Sequence, residues 1–189
     1  MKSLKYTLMA FALVYSMGIN AQNYAVDTKK SNIEWKGKKV SGEHYGNIEI
    51  KKGSFTVEDN KITRGTFEVD MLTIDNVDLT SPERNKRLVD HLKSDDFFSV
   101  ADYPVSTLVI TSSTPFKNGE AEVKGNLTIK GETHPVTFVA KENGNGYTAL
   151  LTIDRTKYNV RYGSGKYFDN LGDNMIYDDF TLDVNLVTQ

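Results

Sequence analysis

The sequence contains no cysteine among its 189 residues. Disulfide bonds therefore cannot stabilise the fold. A lipoprotein anchored through cysteine, a thiol enzyme and a thiolate metal site are also excluded. Burial of an apolar core has to hold the chain together, and this length is sufficient for one domain with an ordinary core.

A large excess of charge is also absent, because 23 basic residues stand against 25 acidic ones. If Lys2 and Lys5 are removed with an N-terminal targeting segment, 21 basic residues remain and the net charge becomes −4. A mildly acidic protein is a poor match for nucleic acid or an anionic membrane surface, so neither is expected as the main partner.

Three common catalytic motifs are missing: the Gly-x-Ser-x-Gly elbow, the phosphate-binding loop and His-Glu-x-x-His. Asp95-Asp96 and Asp178-Asp179 are adjacent pairs, and neighbouring side chains of an extended chain point apart. We interpret these carboxylates as capping or salt-bridging groups rather than acid–base pairs. No catalytic residue, cofactor or metal is predicted.

The N-terminus has the pattern of a secretory signal peptide. Lys2 and Lys5 form a basic start, an apolar run extends from Tyr6 to Ile19, and Ala21 supplies a small residue for cleavage. The run is too short to favour a membrane span. We predict a signal peptide at residues 1–21, a mature domain at residues 22–189, and a periplasmic or secreted location.

Most of the mature chain alternates between apolar and polar residues, which is typical of half-buried strands. The predicted strands are residues 31–36, 42–51, 55–57, 62–71, 106–111, 120–130, 136–141, 147–153 and 179–187, with turns at Lys52-Gly53 and His134-Pro135. About eight antiparallel strands with one apolar face favour a sandwich or a barrel. A barrel of this size either fills with side chains or holds one small ligand, and periodicity does not decide between them.

Alternation fails between residues 72 and 105. Ser81-Pro82 is typical of a helix start, and the spacing of Leu88, His91 and Leu92 predicts a helix over residues 82–92. The segment 88–98 carries a histidine, a lysine, three aspartates and two phenylalanines, so it is a candidate lid, plug or site. Residues 157–177 form an aromatic, glycine-rich connection, a kind of long loop that is often functional.

Two polar side chains fall on apolar strand faces. Arg155 continues the inward parity of the strand 147–153, and a buried arginine needs a partner. Either Asp154, Asp169 or Asp173 pairs with it near the rim, or it faces a ligand. His44 shares parity with apolar residues of its strand, which favours a histidine bonded to backbone inside the barrel.

Several motifs together resemble the YceI-like family of polyisoprenoid-binding proteins. They are Trp35-Lys36-Gly37-Lys38, Gly42-Glu43-His44-Tyr45-Gly46, the run from His91 to Phe98, Gly125-Asn126-Leu127-Thr128-Ile129-Lys130-Gly131 and Ile153-Asp154-Arg155-Thr156. The resemblance covers nearly the whole mature chain, in order. It implies an all-β fold: an extended, lipocalin-like antiparallel barrel of eight strands with a short helical insertion, whose tunnel holds a long isoprenoid or fatty-acyl amphiphile. It also implies an exported protein from a family that is not established as enzymatic.

We therefore predict a carrier that holds the ligand chain by apolar burial and orients its head through a few polar groups. The candidate head-group residues are Arg155, His44 and His91, and the candidate wall or mouth residues are Trp35, Phe97, Phe98, Tyr158 and Phe168. Two alternatives stay open: a lipid-modifying enzyme that uses His91 and Asp96, and a ligand-free, stress-related barrel filled by its own side chains. Transient contact with a membrane or lipid donor, and a homodimer, are also left open.

Overall fold

The computed structural model describes residues 21–189, in which nine antiparallel strands follow one another with one helix inserted. The strands are β1 (Gln22–Ala25), β2 (Asn32–Lys39), β3 (Gly42–Glu58), β4 (Lys61–Asp70), β5 (Val105–Ser113), β6 (Glu120–Ile129), β7 (Glu132–Asn143), β8 (Gly146–Asp154) and β9 (Ile176–Val187). The helix α1 (Pro82–Lys93) lies between β4 and β5. The predicted signal peptide falls, apart from Ala21, outside the described residues.

Eight of the strands close into a barrel. The sheet order runs β3-β2-β9-β8-β7-β6-β5-β4, and β4 pairs back with β3. The remaining strand, β1, pairs with the second half of β3, where Tyr24 lies opposite Phe55. The prediction of an eight-stranded, lipocalin-like antiparallel barrel with a short helix is confirmed, with one extra strand.

The predicted turn at Lys52-Gly53 is wrong, because β3 continues through it. The register of β3 against β4 shifts between Ile50 and Lys52, which marks a β-bulge. The inserted residue changes the inward parity from even at Ile48 and Ile50 to odd at Phe55, all of which are buried. In the sequence, this change of phase looks like a turn between two strands.

Two further boundaries differ from the predictions. The strand β7 begins at Glu132, so Pro135 lies inside a strand rather than in a turn, and β9 begins at Ile176 instead of residue 179. The helix is confirmed, since the Ser81 hydroxyl caps it by accepting a hydrogen bond from the Arg84 N–H at 3.4 Å. Within residues 21–189, no helix has the length and apolar character needed to cross a membrane.

The segment between β4 and α1 lies against the start of β3. The Asp75 N–H donates to the Asn47 carbonyl at 3.0 Å, and the Trp35 indole N–H donates to the Asp75 carbonyl at 2.9 Å. Directly opposite Asp75, β3 carries Gly46. A Cβ atom at position 46 would lie 2.2 Å from the Asp75 oxygen, so only glycine permits this approach.

We expect Gly46→Ala to lower the free energy of unfolding by about 2–3 kcal/mol, because the new methyl group must push the backbone of residues 75–76 away. Urea unfolding monitored by tryptophan fluorescence measures this loss, since the Trp35 indole is hydrogen-bonded to Asp75 in the displaced segment. Gly37→Ala is the matched control, because a Cβ there would meet no atom within 4 Å. Equal stability of the two variants would contradict the close-approach argument.

Candidate ligand-binding site

An elongated cavity of about 200 Å³ lies inside the barrel and is lined by side chains from all eight barrel strands. Along β9 the lining extends from Ile176 to Leu186, roughly 33 Å of strand at the usual rise per residue. Apolar protein cavities of about 150 Å³ already accept a small organic molecule. The barrel is therefore not filled by its own side chains, and its interior is long enough to be called a tunnel.

The tunnel wall is almost entirely hydrocarbon. Inward residues of β9 illustrate the pattern, since Phe180, Leu182, Val184 and Leu186 all line it. Among the described lining residues, Arg155 carries the single charged side chain. Such a surface binds apolar chains by removing them from water and offers few hydrogen bonds.

We call the end of the barrel near α1 the helix end, and the opposite end, where β7 and β8 join, the hairpin end. At the helix end, Leu92 of α1 and the following Phe97 and Phe98 line the tunnel. The Phe97 and Phe98 rings meet edge to face with centroids 5.1 Å apart. Trp35 also lines the tunnel. This part of the candidate lid segment therefore packs into the barrel mouth.

Arg155 lies at the same end, in the short 3₁₀ turn that follows β8. Its Nε, Nη1 and Nη2 atoms donate to the carbonyls of Tyr177, Val160 and Ile176 at 3.1, 2.8 and 3.0 Å. The Arg155 side chain is 2 % exposed. These three bonds satisfy much of the group's donor capacity, which explains how a charge is tolerated there.

The carboxylate that lies within ion-pair distance of Arg155 belongs to Asp178, at 3.8 Å. The alternative in which Asp154, Asp169 or Asp173 pairs with Arg155 is therefore wrong. Lys166 bridges Asp178 and Asp154 at 3.2 and 3.1 Å. Burial lowers the pKa of Arg155, and the two nearby aspartates oppose that shift. A guanidinium remains protonated in proteins, so the helix end keeps a positive charge.

The predicted site residues divide into two groups. Trp35, Phe97, Phe98 and Arg155 line the tunnel, whereas His44, His91, Tyr158 and Phe168 do not. Phe168 is 50 % exposed on the connection between β8 and β9. Tyr158 is buried outside the tunnel, with its ring edge-on to His134 at 5.2 Å.

The prediction that His44 is hydrogen-bonded to backbone inside the barrel is wrong. Its Nδ1 lies 2.8 Å from an Asp78 carboxylate oxygen, because the start of β3 extends past the helix end and meets the segment after β4. His91 packs against Phe97 and Tyr162, with ring centroids 5.6 and 4.5 Å away.

The enzyme alternative required His91 and Asp96 to act together. Asp96 is exposed, and no hydrogen bond or ion pair joins it to His91 among residues 21–189. His91 Nε2 is buried and has no hydrogen-bond partner in the described part of the chain. Across the same residues, no group of three or more His, Asp or Glu side chains is placed to hold a metal ion.

A family profile described as the YceI-like domain matches residues 24–188. The chain belongs to the YceI-like family. It is 36% identical over 152 residues to a UPF0312 protein of Pseudomonas aeruginosa, covering 76% of this chain and 75% of that one. A UPF0312 protein of Shewanella denitrificans is 33% identical over 149 residues, with 77% and 75% covered.

Solved structures show the same fold. The crystal structure of Burkholderia cenocepacia BcnA aligns with a TM-score of 0.60 and 24% identity, covering 85% of this chain and 98% of that one. A mutant of the CJ YCEI protein aligns at 0.55 with 16% identity, over 100% and 99% of the two chains. The architecture of the YceI-like family suits a binding protein.

Most residues that line the YceI-like tunnel are not among the eight predicted site residues, although strand parity in the sequence indicates many of them. Inward parity on β9 identifies Phe180, Leu182, Val184 and Leu186, and all four line the cavity. Asp78 had no comparable signal, because its contact with His44 joins residues 34 positions apart.

The Asp78 carboxylate provides a test of the contacts at the helix end. Burial opposes its ionisation, but hydrogen bonds from the Tyr45 N–H, His44 and Asn76 outweigh that effect and lower its pKa. Because the folded pKa lies below the unfolded one, ionised Asp78 stabilises the protein above about pH 4, and the stabilisation is lost as pH falls through the folded value.

We expect Asp78→Asn to cost roughly 1–2 kcal/mol of unfolding free energy at neutral pH, because it weakens hydrogen bonds to a charged acceptor. The difference from wild type should shrink steadily as the pH is lowered from about 5 toward 2. Chemical unfolding at a series of pH values measures it. A difference that stays constant across that range would show that the charge of Asp78 does not stabilise the fold.

Proposed function

We propose that this protein binds a long-chain amphiphilic lipid, isoprenoid or fatty-acyl, with the chain in the barrel tunnel. The observation that carries the proposal is a long hydrocarbon-lined cavity with one cation at its helix end. The ligand class implied by the YceI-like resemblance has the same character, an apolar chain with a polar head.

The energetics of burial favour a chain over a compact ligand. Each buried CH₂ contributes about 0.8 kcal/mol, so roughly ten carbons contribute about 8 kcal/mol before the cost of association. A tail of that length or longer is needed for tight binding from carbon alone. The apolar wall provides this burial energy without a cofactor and without any charged group in the lining besides Arg155.

The head of the ligand fits best near Arg155. Each terminal nitrogen of a guanidinium carries two hydrogens, and one on each is bound to the carbonyl of Val160 or Ile176. The remaining donors can meet an acceptor such as a quinone or phenol oxygen, an amide carbonyl or a carboxylate. Trp35, Phe97 and Phe98 then surround the first part of the chain.

We further propose that the protein works outside the cytoplasm as a carrier or a sequestering protein. The basic start at Lys2 and Lys5, the apolar run and Ala21 support export with a cleaved signal peptide. A carrier of this kind takes its ligand from one lipid donor and delivers it to another, through transient contact with a membrane or a partner protein.

The test uses protein purified from the exported fraction of its native host. Organic extraction and mass spectrometry should recover a long-chain lipid in up to an equimolar amount, and delipidated protein should bind a fluorescent fatty acid. N-terminal sequencing of the same preparation should find residue 22 first. An extract that contains no lipid, together with no binding of prenyl or fatty-acyl probes, would contradict the proposal.

A further inference from the structure

The barrel wall is incompletely closed between β7 and β8. These strands pair only from Ala140 opposite Ala149 to Asn143 opposite Gly146. On the outer sides, β7 pairs with β6 along residues 132–141 and β8 pairs with β9 along residues 146–154. Residues 132–139 and 150–154 therefore face each other across a gap, which widens toward the helix end.

Pro135 builds this gap into the sequence. The Glu142 N–H donates to the Gly119 carbonyl, which directs the even-numbered residues of β7 toward β6. By the alternation of antiparallel pairing, odd-numbered residues such as Pro135 direct their backbone toward β8. Proline has no N–H to donate, and it is confined to strand edges for that reason. Continuous pairing of the two strands would lack a donor at this position.

A second, mainly polar pocket of about 150 Å³ occupies the gap. Thr137 of β7, Thr152 of β8 and Tyr158 of the following turn are among the residues that line it. Leu151 lines both this pocket and the tunnel. One layer of inward side chains thus separates solvent in the gap from the tunnel, next to the turn that carries Arg155.

The two ends of the tunnel are covered more thickly. Phe97 and Phe98 are buried at the helix end. At the hairpin end, Tyr147 lies 5.3 Å from Phe55 and 5.6 Å from the buried Phe116, between ring centroids. Opening either end requires an aromatic cluster to separate, whereas opening the gap breaks no strand ladder at residues 132–139.

We infer that the β7–β8 gap is a lateral gate through which a single-chain amphiphile passes into and out of the tunnel. This rests on the proposed function. The tail enters sideways past Leu151, and the polar head stays in the gap or moves to the adjacent Arg155, so it never crosses the hydrocarbon wall. A compact head with hydrogen-bonding groups suits this polar gap.

A cross-link across the gap tests the gate. Extending the register from Ala140 and Ala149 places Thr137 opposite Thr152, and both are exposed. The chain has no cysteine, so a short thiol-reactive cross-linker joins Thr137→Cys to Thr152→Cys alone. The control joins Thr128→Cys to Thr133→Cys on the paired β6–β7 seam, where the two hydroxyls lie 2.8 Å apart.

The cross-link at the gap should slow both uptake and release of a fluorescent fatty acid by about 10-fold or more, with Kd unchanged. The control should leave both rates near those of wild type. Release at the unlinked rate from the gap-linked protein would overturn the gate and leave the binding function intact. Failure of wild-type protein to bind any prenyl or fatty-acyl probe would overturn both.

Amide exchange examines the gap without substitution. The Thr188 N–H donates to the Asn145 carbonyl, so odd-numbered residues of β8 face β9 and even-numbered ones face the gap. The amides of Leu150 and Thr152 should exchange about 10-fold or more faster than those of Leu151 and Ile153. Equal protection of the amides along β8 from exchange would show a continuous wall and would contradict the gate.

Discussion

Replacing Ala149 by tryptophan should reduce lipid affinity by about 100-fold or more while the barrel stays folded. Ala149 lies on β8, lines the tunnel and pairs with Val184 of β9, which also lines it. An indole at this position occupies the space that the ligand chain needs. Because the new side chain enters a cavity rather than a packed core, the loss of unfolding free energy should stay within about 3 kcal/mol.

The measurement is titration with a fluorescent fatty acid and with a labelled prenyl alcohol, next to thermal unfolding of each variant. Glu122→Trp adds the same side chain on the outer, exposed face of β6 and should bind like wild type. Wild-type affinity in Ala149→Trp would mean that the ligand does not occupy the tunnel. Loss of binding in both variants would mean that tryptophan acts through some general effect.

Much of this fold could be predicted because strand periodicity reflects burial directly. The alternation in β6 and β9 and the Ser81 cap gave strands and a helix that the structure confirms. Two of the failures lie inside long strands, one at a β-bulge and one at a proline. The bulge between Ile50 and Lys52 imitates a turn, and Pro135 imitates a strand boundary, although both are devices inside long strands.

The site was only partly predictable, because its polar contacts join distant parts of the chain. Strand parity correctly indicates that Arg155 faces inward, but the acceptors of its hydrogen bonds include carbonyls 21 and 22 residues away, which local sequence does not encode. His44 follows inward parity, yet it lies beyond the helix end, where strand parity no longer decides what a side chain faces. Phe168 lies in the connection between β8 and β9, where strand parity does not apply either, and it is exposed.

Replacing Arg155 by methionine should lower the free energy of unfolding by about 3–5 kcal/mol. Methionine keeps a flexible apolar stem, but the carbonyls of Val160, Ile176 and Tyr177 lose their donor together. These carbonyls fix the connection between β8 and β9 to the barrel. Leaving several of them unpaired in a buried place costs more than the removal of one buried charge returns.

Two further variants separate the contributions of charge and geometry. Arg155→Lys keeps the charge, but a single ammonium does not reproduce a planar fork bound to three carbonyls, so most of the loss should remain. Lys166→Met removes an exposed cation from Asp154 and Asp178 and should leave stability nearly unchanged. Urea unfolding of all three variants measures stability, and lipid titration of separate, folded samples at 4 °C measures binding. If Arg155→Met unfolds like wild type and binds lipid weakly, the guanidinium binds the ligand head and does not stabilise the connection between β8 and β9.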